Sequence, residues 1–148
     1  MENKPLLILL ADDDEADRLL FTEIFSELKI KTIVETCNNG LELMQTLNEK
    51  DALLPHLLFL DLNMPLKDGL ECLKEIRSNE KLKNISVAIY STSENEKDME
   101  ATFLNGANIY ITKPSDFNTL KKVLEKAVLT AHQYQHSSMR RENFLLKI

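Results

Sequence analysis

Glycine and proline are scarce in this chain, three and four residues respectively in 148. That excludes a linker-rich or low-complexity protein and points to continuous secondary structure. Cysteine is limited to Cys37 and Cys72, which lack metal-like spacing. Neither a zinc module nor a disulfide framework is therefore expected, and both residues read as reduced, buried small side chains. No apolar run approaches the length needed to cross a bilayer, and Met1-Glu2-Asn3-Lys4-Pro5 has no secretory pattern. A cytoplasmic protein without a membrane partner is expected. Positive charge is in deficit too: 18 Lys and Arg face 24 Asp and Glu, for a formal net charge of -6. That weighs against direct nucleic-acid binding. A nucleotide-binding domain is disfavoured because no glycine-rich loop follows the first apolar run.

What the chain does have is a series of short apolar runs, each followed by a helical pattern. The length suits one compact domain with a sizeable core. Leu6 to Ala11 is unbroken and apolar, as in a parallel strand covered on both faces. Leu20, Phe21, Ile24, Phe25 and Leu28 then share one helical side, with Asp14 as cap and Asp17 facing the helix's positive end. Thr32 to Thr36 is a weaker strand, and Asn39-Gly40 turns into a helix bearing Leu43, Met44 and Leu47. The third unit is Leu57 to Leu60 plus a helix with Leu70, Leu73 and Ile76 inside. Val87 to Tyr90 precedes a helix over about Glu96 to Leu104, and Ile109 to Ile111 precedes one starting near Asp116. That last helix buries Leu120, Leu124, Ala127 and Val128. Five such units predict an α/β, doubly wound parallel sheet, with a crevice where the strands' carboxyl ends meet a reversal of strand order.

Chemistry-bearing residues fall at those ends. Asp12-Asp13-Asp14 follows the first strand, Asp61 the third, Ser91 the fourth and Lys113-Pro114 the fifth. Clustered carboxylates beside a core are costly unless a cation neutralises them. Mg²⁺ suits hard oxygen ligands and retained waters. Asp13 and Asp61 are the expected direct ligands, with the Asn63 carbonyl as a third oxygen and Asp12 acting through water. A cation beside Asp61 permits phosphoryl transfer to its carboxylate, with Lys113 as the amine that offsets charge. Ser91 is placed to donate its hydroxyl to a phosphoryl oxygen. Taken singly, these residues also read as solvated carboxylates, a surface lysine and a turn cap.

In order and spacing, these segments resemble the receiver domain of two-component response regulators from Leu6 to about Ala131. Asp12-Asp13 is similar to that family's acidic pair, and Leu-Asp-Leu-Asn-Met-Pro-Leu-Lys-Asp-Gly around Asp61 to its phosphoacceptor segment. Ser91 holds the family's Thr or Ser place, and Lys113-Pro114 with Phe117 its lysine–proline segment. The resemblance implies a flavodoxin-like (βα)5 fold with strand order 2-1-3-4-5. It implies phosphoryl transfer to Asp61 from a sensor histidine kinase or histidine phosphotransfer protein. Mg²⁺-dependent autophosphorylation from small phosphodonors and autodephosphorylation follow, without separate substrate turnover. It further implies that Tyr110 is an aromatic switch turning inward as Ser91 moves. Asn63 and Ser93 lie where the family tunes acyl-phosphate lifetime, and Thr92 narrows access to Asp61.

A receiver domain over residues 1–131 and a C-terminal extension over 132–148, without an effector domain, are expected. That makes a stand-alone regulator resembling those paired with phytochrome-type sensors, with output through protein contact. A homodimer through the fourth helix, fifth strand and fifth helix is a further expectation. Phe144-Leu145-Leu146-Lys147-Ile148 either packs on the domain or across that dimer. His132 and His136, four apart, read as surface residues, and His56 has no visible acid–base partner. The competing readings are a Mg²⁺-dependent small-molecule phosphohydrolase or phosphotransferase and a constitutive interaction module. The first is disfavoured by the missing Asp-x-Asp pair at Asp61 and the second by the complete acidic set.

Overall fold

A computed structural model describes residues 4–133 of the chain. The elements alternate strictly: β1 (Leu6–Ala11), α1 (Glu15–Glu27), β2 (Thr32–Cys37), α2 (Gly40–Leu47), β3 (Leu57–Leu60), α3 (Gly69–Ser78), β4 (Ser86–Ser91), α4 (Glu96–Leu104), β5 (Ile109–Thr112) and α5 (Phe117–Gln133). The strands form one parallel sheet in the order β2-β1-β3-β4-β5. This is the flavodoxin-like (βα)5 arrangement, and the order reverses between β1 and β3.

Why the strand runs are apolar throughout is visible in β1. Ile8 and Leu10 enter the core shared with Phe21, Ile24 and Phe25 of α1 and Leu120 and Leu124 of α5. Leu9 and Ala11 enter the opposite core with Leu43 and Met44 of α2 and Leu73 and Ile76 of α3. A strand covered on both faces needs apolar residues at every position. β2, at the sheet edge, buries only Cys37 fully, which explains its weaker sequence signal. Side-chain oxygens start four helices: Asp14, Asn39, Asp68 and Asn95 each accept a backbone N–H from the first turn. Asp68 and Glu71 form a reciprocal capping box on α3.

Three strands run further than the sequence pattern predicts: Cys37 closes β2, and Ser91 and Thr112 close β4 and β5. The pairing of β4 with β5 puts Ser91 opposite Thr112, one residue before Lys113. Cys37 and Cys72 are free and buried, and burial pushes their thiols up to about 11 and about 12. Among the described residues no helix is long and apolar enough to cross a membrane. The side chain of His132, and Tyr134, His136, Arg140, Arg141 and the 144–148 segment, lie outside the described residues.

Candidate functional site

Backbone hydrogen bonds continue past the strand ends and bring the polar residues together. Asp12 N–H donates to the Cys37 carbonyl (3.1 Å), Asp61 N–H to Ala11 (3.0 Å) and Lys113 N–H to Ser91 (2.8 Å). The carboxylates of Asp12, Asp13 and Asp61 thereby offer oxygens all within 4.8 Å of one another. Asp12 is fully buried and Asp61 is 7% exposed, while Asp13 faces solvent. Burial pushes the Asp61 carboxyl up to about 6; Lys113's charge works against that shift, and the charges of Asp12 and Asp13 add to it. Burial likewise raises Asp12, opposed by its bonds from Lys113 and the Asp14 N–H. Three hard carboxylate donors around one gap are the chemistry that a small divalent cation satisfies.

Lys113 joins this group together with a second carboxylate, Asp17, that the sequence pattern assigns to the α1 dipole. Its ammonium donates to Asp12 Oδ2 at 2.8 Å and to Asp17 Oδ2 at 2.9 Å. It also lies 4.9 Å from the centre of the Tyr90 ring. Burial works against the Lys113 charge, yet the Asp12 and Asp17 bonds, with Asp61's field, hold its pKa well above the usual lysine value. The sequence pattern marks Asp17 only as a complement to the α1 dipole. Its position five residues past Asp12, on the first turn of α1, turns it back over the cleft. The one available signal was an acid one turn beyond an acidic cluster.

Ser91 is fully buried, and its Oγ accepts the Ser93 N–H at 3.1 Å. Ser93 in turn donates its hydroxyl to Asp98 Oδ2 of α4 (2.7 Å), while its carbonyl accepts the Tyr110 hydroxyl (2.9 Å). The Tyr110 ring is therefore buried in this structure, with burial raising its phenol pKa. Asn63 and Thr92 are exposed beside the cleft.

The loop after Asp61 is fixed by close backbone approach. A Cβ at Gly69 would stand 2.2 Å from the Asp61 carbonyl oxygen, and one at Gly40 2.1 Å from that of Lys67. Only glycine admits these contacts, so α2 and α3 both press the loop into place. Lys67 also pairs with Glu75 of α3, and exposed Leu66 is held at φ 70°. His56 lies at the other end of the sheet, its Nδ1 accepting the Leu7 N–H at 2.9 Å.

A doubly wound sheet with clustered acids at its crevice and a lysine bound to one of them defines the receiver class. The sequence matches the response regulator receiver domain family over residues 8–125, and the chain belongs to that family. It is 36% identical over 127 residues to response regulator Rcp1 of Synechocystis sp., covering 83% of this chain and 86% of that protein. It is 31% identical to the probable methanogenesis regulatory protein FilR2 of Methanothrix harundinacea, covering 82% and 81%. The structure of the phosphorylated cyanobacterial phytochrome response regulator RcpA is similar at TM-score 0.78 and 35% identity, covering 84% of this chain and 91% of that one. The Mn(2+)-bound form of Rcp1 gives TM-score 0.77 and 32% identity, covering 92% and 99%.

The chain is thus a phosphotransfer-based signalling switch, whose chemistry is gain and loss of its own phosphoryl group rather than turnover of a separate substrate. The Asp12, Asp13 and Asp61 cluster is of the kind that holds Mg²⁺ in receiver domains. A response regulator is the receiving member of a two-component pair, so a histidine kinase or phosphotransfer protein stands upstream.

Proposed function

We propose that Asp61 is the phosphoacceptor, taking its phosphoryl group from the phosphohistidine of a sensor kinase or phosphotransfer protein. The supporting observation is the gathering of Asp12, Asp13 and Asp61 oxygens within 4.8 Å, with a lysine bound to one of them. An Asp61 carboxylate oxygen forms the new O–P bond as the N–P bond breaks and the histidine nitrogen leaves with its electron pair. Hydrolysis later returns the free carboxylate and inorganic phosphate.

Asp13, Asp61 and the Asn63 carbonyl would hold Mg²⁺, with Asp12 through water. The ion supplies charge neutralisation at the transferring oxygens. Lys113 adds a second positive charge beside Asp12. Ser91 donates its hydroxyl to the modified carboxylate. As Ser91 moves toward the phosphoryl group its oxygen leaves the Ser93 N–H, which loosens the carbonyl that holds Tyr110 and carries the change to Asp98 and α4. Because the Tyr110 ring is already buried here, release of its hydroxyl from the Ser93 carbonyl, in place of inward rotation, is the event to detect.

Residues 1–131 form the receiver unit in this reading and 132–148 an extension. Output runs through protein contact, including a homodimer across α4, β5 and α5, in the cytoplasm, with no nucleic acid or membrane bound directly. The named relatives favour a phytochrome-type sensor as the upstream partner. The test is incubation with Mg²⁺ and acetyl phosphate followed by intact-mass measurement. A hydroxylamine-sensitive phosphoryl adduct that is absent in Asp61→Asn is expected, and equal labelling of that variant refutes the assignment.

A further inference from the structure

We infer that Asp17 is a positioning residue that competes with the phosphoryl group for the Lys113 amine, and so holds the unmodified switch off. This rests on the receiver reading of Asp61 and adds a carboxylate outside the acidic pair. A lysine ammonium has three donors. Here two point to Asp12 and Asp17, at 2.8 and 2.9 Å, and the head also contacts the Tyr90 face. Asp61 feels the amine's charge, but among the described residues the two ion pairs of Lys113 are with Asp12 and Asp17.

Moving toward an oxygen on modified Asp61, to place its third donor there, draws the amine away from one of the two carboxylates. The two are not equivalent. Asp12 is fully buried and Asp17 is 37% exposed. A buried carboxylate left without its cation is heavily penalised, whereas an exposed one is solvated at once. Asp12 also has its other oxygen bound to the Asp14 N–H, which anchors it, while Asp17 sits part-exposed on the first turn of α1. Asp17 is therefore the partner that is given up. Its affinity for the amine is subtracted from the stability of the modified state and returned when the phosphoryl group leaves.

The probe is beryllofluoride, formed from beryllium chloride and sodium fluoride with Mg²⁺ present, titrated calorimetrically into the full chain. Asp17→Asn keeps the side chain's shape and removes its charge. It should bind beryllofluoride about fivefold more tightly than the unaltered chain, the upper range for a half-exposed ion pair. Loss of a negative charge alone also favours an anion, so the same substitution is made in a Lys113→Met background. There the gain should vanish, because the amine for which Asp17 competes is gone. Unchanged or weaker binding in Asp17→Asn overturns the inference, as does a fivefold gain that persists without Lys113. Asp17→Ala should repeat the gain, and a thermal melt confirms that α1 is intact. Failure of the unaltered chain to bind beryllofluoride overturns the receiver reading and this inference together; binding there with no Asp17 effect overturns this inference alone.

Discussion

Lys113 and Arg77 serve opposite ends of the same two strands, β4 and β5, and are held in opposite ways. At the carboxyl ends, Lys113 meets two carboxylates. At the amino ends, the Arg77 guanidinium donates to four uncharged oxygens: the carbonyls of Gly106 (2.9 Å), Lys83 (2.9 Å) and Ile85 (2.7 Å), and Asn108 Oδ1 (2.9 Å). Burial lowers its pKa, but arginine remains charged under any ordinary condition. Asn108 Oδ1 also accepts the Val87 N–H at 2.8 Å, so Arg77 ties the turn before β4 to the turn before β5. Carbonyls fixed in turns cannot be exchanged for another ligand without unfolding those turns. Carboxylates holding a flexible ammonium can be exchanged for an incoming anion. One end of the sheet is a clasp and the other is a switch.

The strongest way to break this comparison is to remove each cation in turn. Lys113→Met should slow labelling from acetyl phosphate by about a hundredfold to a thousandfold, the usual effect of losing one donor to a developing anion. Arg77→Met should leave labelling within about twofold of the unaltered chain, yet cost about 2–3 kcal/mol of stability in urea, because three part-buried acceptors lose their donor. Arg77→Lys should recover little of that loss, since an ammonium cannot span the same fork of acceptors. If Arg77→Met slows labelling as much as Lys113→Met does, the division between the two ends is wrong.

A smaller effect comes from the site's own acid. The Asp61 carboxyl lies at about 6 in the folded chain against about 3.9 in an unfolded one. Between those values the folded state binds more protons, so stability falls as pH rises from about 4 through about 6 and then levels. Asp12, raised by the same burial, adds to this slope. Without divalent cations, Asp61→Asn should be about 1–2 kcal/mol more stable than the unaltered chain at pH 7, and equally stable near pH 3. The figure is set below the full shift because solvent reaches the cleft through exposed Asp13. Mg²⁺ should shrink the difference by neutralising the carboxylates of the unaltered chain. A difference of the opposite sign at pH 7 contradicts the burial argument.

How far the sequence could be read follows from the same contrast. The β–α alternation was visible because both faces of β1 and β3 are covered and every strand position is apolar. Asp61, Asp12, Asp13 and Lys113 stand out because each lies within two residues of the end of an apolar run. The roles of Asp17 and Arg77 were hidden for a different reason. Asp17 acts across 96 residues of chain on Lys113, through a helix phase that decides which way a first-turn acid points. Arg77 is bonded mostly to backbone carbonyls, which leave no mark on residue type. The orientation of Tyr110 depends on one rotamer and on where the Ser93 carbonyl points, and neither has a sequence signature.

The finest contrast lies between the loops that flank β4. The turn entering β4 is fixed by Arg77, whereas the turn leaving it depends on the Ser93 hydroxyl, which accepts the Asn95 N–H at 3.1 Å and donates to Asp98. Ser93→Ala removes both bonds on a partly exposed loop and should cost about 0.5–1.5 kcal/mol. That cost should be local. Amide exchange should rise severalfold at Met99, whose N–H donates to the Asn95 carbonyl in the first turn of α4. At Asn108, whose N–H donates to the Val87 carbonyl beside the Arg77 clasp, exchange should be unchanged. The Tyr110 hydroxyl keeps its backbone acceptor in this variant, so its ring should stay buried. Equal acceleration at Met99 and Asn108 would mean that the two ends of β4 open as one unit, and that the Arg77 clasp does not isolate the amino end from the switch.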